Sequence, residues 1–128
     1  MIVDTSALIA VTFREPGHGE LITKLASAPS AGIGTPTLTE TGLVLTARLR
    51  RDPRDLIVRL LGEFSIAEIP FGDEHWKEAI GAYLRFGKGR HKAQLNFGDC
   101  LTYAVARLAG EPLLFTGNDF THTDLEPG

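Results

Sequence analysis

The 128 residues carry a net charge of -3, with 43% apolar and 23% charged side chains, which excludes both a disordered chain and a membrane protein and allows one domain with its own core. No run of about 18 apolar residues occurs, and the amino terminus lacks a basic stretch followed by an apolar core, so a cytoplasmic protein is expected. Cys100 is the single cysteine, which excludes an internal disulfide, and the acidic balance argues against a protein that simply coats nucleic acid.

In chain order, Met1 to Val3 reads as a short apolar strand that ends at Asp4, and Thr5 or Ser6 can cap a helix through Ala7 to Val11. Glu15-Pro16-Gly17 breaks that helix, His18 to Ala28 forms a second, and Ala31 to Gly34 is a weak strand. Thr35-Pro36 opens a helix to about Arg51 with its expected polar cap and first-turn proline. Glu40 sits one turn into it among apolar neighbours. Another helix covers Pro53 to Glu63, a strand Ile66 to Pro70, and a further helix Gly72 to Phe86. On the last of these, Trp76 and Tyr83 lie at heptad spacing, which points to packing in a core or interface rather than to base stacking.

The segment Arg85 to Lys92 holds four formal positive charges and no acid. After it, Asn96-Phe97-Gly98-Asp99 leads into Cys100 to Ala109, a helix with no wide polar face that should be buried on most sides. Asp99 stands in its first turn, where unpaired N–H groups and the helix dipole favour negative charge. Asn96 and Asp99 are also spaced as a capping pair, and capping alone explains an acid there. Leu113 to Phe115 is a short apolar run typical of a central parallel strand, and Asp119 follows its carboxyl end, with room for a short edge strand over Phe120 to Leu125. His18, His75 and His122 have no partners at metal-ligand spacing and read as structural; for His91 both RNA contact and solvent exposure stay open.

Strands alternating with helices imply a three-layer α/β/α sandwich with a mostly parallel sheet, formed by residues 1–128 as a single domain. In such a sheet the carboxyl ends of the strands share one edge, which brings Asp4 and Asp119 together with Glu40 and Asp99 in reach. Clustered carboxylates need protons or cations, and oxygen-only ligands suit magnesium or manganese. Such ions can activate a water and offset the charge that develops on a phosphodiester. Of the 13 basic residues, five fall between Arg48 and Arg59 and four in the Arg85 to Lys92 loop. An acidic centre between basic surfaces fits an enzyme acting on a polyanion, although solvated helix faces are the commoner fate of such runs.

Four segments in order carry a resemblance: Met1 to Leu8 with Asp4-Thr5-Ser6, Glu40 in a threonine-rich helix start, Asn96 to Cys100, and Leu113 to Phe120. Together they resemble the PIN domain, and more narrowly the VapC-type toxins of prokaryotic toxin–antitoxin pairs. The resemblance implies a magnesium- or manganese-dependent endoribonuclease that forms a homodimer and is inhibited by a small antitoxin protein. Carried over by position, Asp4 and Asp99 are the principal metal ligands and Glu40 and Asp119 complete the catalytic site. Ser6, Thr116 and Asp124 fall to the outer shell, with Asp124 also a candidate for a second metal, and Lys88, Arg90 and Lys92 hold the RNA backbone. The antitoxin is expected on the apolar helical surface between Leu38 and Leu61 and at the acidic crevice.

Three other readings start from the same residues. A phosphohydrolase with Asp4 as covalent nucleophile wants a second Asp two residues on, where Ser6 stands. A receiver-like domain wants a lysine after the last central strand, where Thr116 and Gly117 stand. A non-catalytic PIN-like module that binds RNA or protein would be favoured by the loss of one or more acids, and all four are present.

Overall fold

Four short parallel strands and six helices, all described over residues 1–128 in the computed structural model, alternate along the chain. They are β1 (Ile2–Val3), α1 (Thr5–Thr12), α2 (His18–Ser27), β2 (Ala31–Gly34), α3 (Thr35–Leu49), α4 (Arg54–Glu63), β3 (Ile66–Ile69), α5 (Asp73–Phe86), α6 (Phe97–Ala109) and β4 (Leu113–Leu114). The sheet order is β3-β2-β1-β4 and every pairing is parallel, with Ile2 opposite both Gly32 and Leu113. No helix is long and apolar enough to cross a membrane.

Alternation along the strands sorts the core into two halves. Ile2 and Leu113 face α5 and α6, where Phe86, Tyr103, Ala104 and Val105 fill the first cluster. Val3, Ile33 and Leu114 face the other way, toward Leu8, Leu21 and Leu25 of α1 and α2, with Leu38 and Leu61 packed alongside. The sheet is thus the middle layer of the expected three. Helix α6 is buried from Asp99 to Ala106 apart from a half-exposed Leu101.

Local signals set most boundaries, with three informative departures. Helix α1 is capped by Asp4, whose Oδ2 accepts the Ser6 N–H at 3.0 Å. The hydroxyls of Thr5 and Ser6 are committed to other elements and cannot serve as the cap. Helix α6 begins at Phe97, because Asn96 and Asp99 form a reciprocal capping box. The edge pairing near the carboxyl terminus is a single bridge between Leu113 and Pro127, not a strand over Phe120 to Leu125. That stretch turns instead, with Phe120 carried into the core.

Close approach of α6 to the sheet depends on Gly34. A Cβ there would lie 2.7 Å from Val105 Cγ2, and Val105 is a stiff β-branched side chain, fully buried. Gly34→Ala is expected to lower the unfolding free energy by about 1–3 kcal/mol through overpacking, and adding Val105→Ala should recover part of the loss. Urea denaturation of the single and double variants measures both effects; additive destabilisation would contradict this contact.

Candidate active site

The chain runs β1, β2, β3 toward one edge of the sheet, then crosses back to place β4 on the other side of β1. The reversal opens a crevice outside the carboxyl ends of β1 and β4, the place where open α/β sheets bind ligands. Asp4 leaves β1 at this point, its N–H bonded to Leu114 O at 3.0 Å, and the segment Thr116 to Asp119 leaves β4 beside it. Ser6 and Thr116 are joined directly, the Thr116 N–H donating to Ser6 Oγ at 3.0 Å. Helices α3 and α6 start at the same edge and bring Glu40 and Asp99.

A set of buried hydroxyls orients the acids. Thr102 of α6 donates to Asp4 Oδ1 at 2.9 Å, and Thr37 of α3 lies 3.0 Å from Thr102 Oγ1. Thr102 has one proton and gives it to the carboxylate, so Thr37 is the donor to Thr102. On the other side, Thr5 Oγ1 lies 3.0 Å from Glu40 Oε1 and in turn receives the hydroxyl of Thr41. Both oxygens of Asp4 therefore carry one hydrogen bond and keep lone pairs for a further partner. The carboxylate of Glu40 lies over the amino end of α6: a Cβ on Gly98 would sit 2.7 Å from Glu40 Oε2. Glycine at position 98 lets the carboxylate approach the positive end of that helix.

Asp99 caps and carries charge at once. Its N–H donates to Asn96 Oδ1 at 2.9 Å and its Oδ2 accepts the Asn96 N–H at 3.1 Å. Oδ1 has no partner within the chain, and since no buried polar side-chain atom lacks one, Oδ1 is open to solvent. Burial, joined by the charges of Asp119, Asp4 and Glu40 and opposed by the Asn96 hydrogen bond, pushes the Asp99 carboxyl up to about 7. The four acids share one electrostatic field. Asp4 and Asp99 are buried, Glu40 and Asp119 exposed, and as they stand no three acids or histidines converge on one point.

Beside Asp99 opens a cavity of about 390 Å³, lined also by Asp119, Asn118, Lys88 and Lys92. The loop that carries the lysines is stapled at its base: the Leu95 N–H reaches Phe86 O and the Lys88 N–H reaches Leu95 O, both at 2.9 Å. His91 is structural within it, its Nδ1 accepting the Ala93 N–H and its ring edge-on to Phe86. Arg90 leaves the cavity and lies over the Tyr83 ring at 5.5 Å. Asp124 is also elsewhere, bound by Tyr103 Oη at 2.7 Å and Arg85 at 3.2 Å. Burial works against its charge, but the hydrogen bonds from Tyr103 and Arg85 outweigh it and hold the carboxyl below its ordinary value.

The structure thus groups Asp4, Glu40, Asp99 and Asp119 with Ser6 and Thr116 at the crevice, adds Lys88 and Lys92, and leaves Arg90 and Asp124 outside. Thr5, Thr37, Thr41, Thr102 and Gly98 join the site without having been singled out from sequence. The available signal was a polar residue inside an apolar helix, Thr102, three positions after an acid and so on the same face.

An acidic crevice at the switch point of a parallel sheet, with four carboxylates from four separate segments, defines an α/β fold with its ligand site at the strand ends. The PIN domain matches residues 1–125, and the chain belongs to the PIN-domain family. Ribonuclease VapC36 of Mycobacterium tuberculosis is 48% identical over 127 residues, covering 98% of this chain and 91% of the relative. Ribonuclease VapC42 of the same organism is 39% identical over 128 residues, covering 99% and 98%. Within the family, then, its place is with the VapC ribonucleases. Among solved structures, M. tuberculosis VapC20, described as a sarcin–ricin-loop-cleaving toxin, matches with a TM-score of 0.78 at 20% identity over 97% of this chain and 95% of that one. A toxin–antitoxin complex from Klebsiella pneumoniae matches at 0.70 and 18% identity over 96% and 92%. At those identities the two structures bear on the fold.

The raised Asp99 pKa makes stability depend on pH. Between about 4 and 7 the folded chain holds a proton that the unfolded chain, with its ordinary value of 3.8, has released. Stability contributed by this group is therefore lost as pH rises through that window, by an amount on the order of 4 kcal/mol at most, and is level above it. In the presence of EDTA, the unfolding midpoint is expected to fall from pH 5 to pH 8. Asp99→Asn, which keeps an acceptor for Asn96, should flatten that dependence and unfold at a higher temperature than the parent at pH 8. A parent profile that rises across the window would contradict the buried charge.

Proposed function

We propose that this chain is a divalent-metal-dependent endoribonuclease that hydrolyses RNA phosphodiesters and acts as the toxin of a toxin–antitoxin pair. PIN-domain nucleases generally use divalent metals; magnesium or manganese is the assignment made here. The reading rests most on one observation: Asp99, buried beside three other acids, presents a carboxylate oxygen that no group of the chain occupies. The donor set fits a hard cation, being all oxygen with no histidine or cysteine among the acids. Asp4 and Asp99 would hold the ion, with Glu40 and Asp119 completing the shell and Ser6 and Thr116 behind it. A cation held there supplies an activated water and offsets the charge that develops on the phosphodiester.

The chain's own residues divide the remaining work. Thr102 and the Ser6 N–H fix both oxygens of Asp4, so that the carboxylate does not turn away when its charge is needed. Asp99 releases its proton from the open carboxyl as the cation enters, which makes cation affinity rise with pH toward 7. Lys88 and Lys92 line the same cavity as Asp99 and Asp119 and hold the phosphate backbone beside the reacting group. Arg90 keeps a place as an RNA contact farther out, on the Tyr83 side of the loop. Asp124 serves the site by anchoring the chain after β4 to α5 and α6 rather than by binding an ion.

Two apolar surfaces suit two protein partners. The groove between α3 and α4, about 1020 Å³, is lined by Leu38, Leu43, Ile57, Val58 and Leu61 and rimmed by Arg50, Arg51 and Arg54. Asp52 and Glu68 line it too, and Asp52 pairs with Arg54 at 2.7 Å, which leaves Arg50 and Arg51 as its unpaired cations; the groove suits an antitoxin segment with an apolar face and an acidic residue to meet them. The cleft between α5 and α6, lined by Trp76, Ile80, Tyr83, Leu84, Phe97 and Leu101, carries no charge. An uncharged apolar cleft of this kind is a face that a second copy could cover about a twofold axis, and we assign the homodimer to it.

Purified protein is expected to cut a cellular RNA pool with magnesium or manganese, and to lose cutting by at least 100-fold in EDTA and in Asp4→Asn or Asp99→Asn. Cutting that survives both substitutions would remove the assigned site. For the dimer, light scattering should report twice the chain mass for the parent and the single chain mass for Ile80→Glu, with the circular dichroism of the two alike. A parent that is monomeric, or a variant that still dimerises, would place the interface elsewhere.

A further inference from the structure

The cavity beside Asp99 has a side that cation binding and phosphate contact leave unused. Gln94, Asn118 and His122 also line it, and their side chains make no hydrogen bond within the chain. The backbones of Gln94 and Asn118, by contrast, are fixed. The Gln94 N–H donates to His91 O at 3.0 Å, and the Thr121 N–H donates to Asn118 O at 3.2 Å. Gln94 also stands at φ +52°, a left-handed conformation costly for a residue with a side chain and imposed by the staple between Gly87 and Leu95. The loop spends conformational energy to hold an amide at the mouth of an acidic cavity.

The chemistry of these three groups differs from that of the lysines. A phosphate offers only acceptors, and Lys88 and Lys92 already supply donors to it. A carboxamide presents a donor and an acceptor side by side, which matches the edge of a heterocyclic base, as glutamine or asparagine matches adenine at N6 and N7. The imidazole of His122 adds a flat ring and ring nitrogens for hydrogen bonding. Sequence-specific recognition of RNA targets unpaired bases that are splayed from the strand, stacked on flat side chains and hydrogen-bonded at their edges. A cavity of about 390 Å³ lies in the lower part of the range of pockets that take small ligands.

We infer that this part of the cavity is a nucleobase subsite, in which Gln94 and Asn118 read the edge of one unpaired RNA base next to the scissile phosphate and His122 packs against its face. The inference rests on the ribonuclease reading above and deepens it: Gln94 and Asn118 set the base preference of cutting, while Lys88 and Lys92 set its overall strength.

A pool of single-stranded RNA with randomised sequence, cut in manganese and sequenced at the new ends, tests this. The parent is expected to favour one base at one position beside the cut. Gln94→Gly, which accepts the left-handed backbone, and Asn118→Ala should each reduce that preference by about fivefold or more, a loss of discrimination typical of one amide contact. Lys88→Ala should slow cutting of all sequences alike and leave the preference unchanged. A parent without base preference next to the cut, or a preference unaltered in both amide variants, would overturn the subsite while leaving the nuclease intact. A parent that cuts no RNA with either metal would overturn the nuclease reading and the subsite with it.

Discussion

Four carboxylates brought to one edge of a small sheet repel one another, and two of them, Asp4 and Asp99, are almost fully withdrawn from water. The repulsion is the constraint around which the rest of the structure is arranged. Asp4 is held by a backbone N–H and a hydroxyl, Glu40 by a hydroxyl, and Asp99 by the N–H of its own capping partner. Each donor stabilises the ionised form by a modest amount, and each comes from a different element than the acid it serves, except within the α1 and α6 caps. The hydroxyls do a second job by linking α3, α6 and the start of α1 through Thr37, Thr102 and Thr5. Removing charge from the cluster is therefore expected to help folding, which is the usual relation between a working site and its scaffold.

The order of the elements was legible in the sequence because the two faces of the sheet are both covered. Strands with no polar face, such as Leu113-Leu114, and helices with one broad apolar side separate cleanly by length and pattern. Two acids were placed for a related reason: Asp4 directly follows β1 and Asp119 comes a few residues after β4, so parallel topology brings them to one edge. The switch point could not be read, since it depends on β4 pairing with β1 on the side away from β2, a choice that no local pattern encodes.

What stayed hidden was side-chain direction. Threonine is an indifferent helix former, and Thr37, Thr41 and Thr102 count as weak positions in any helix pattern until the partner across the core is known. Glu40 reads as a solvent-facing acid, and it is largely exposed; only the absence of a Cβ at Gly98 shows that its carboxylate is drawn onto another helix. Arg90 and Asp124 illustrate the converse. Both belong to segments rich in the right chemistry, yet the aromatic face of Tyr83 holds one and the Arg85–Tyr103 pair holds the other, contacts made across tens of residues or around a tight loop.

A chain of net charge -3 that handles a polyanion must keep its charges apart. The stapled loop does this locally, bringing Lys88 and Lys92 to the cavity that Asp99 and Asp119 also line. On the proposed function, a phosphate strand entering there would meet attraction from the lysines and repulsion from the acids, and the balance would tip toward binding when a cation cancels the acids. Substrate and cation would then favour each other's entry, so that the acids which weaken the fold by themselves would make RNA binding conditional on the metal.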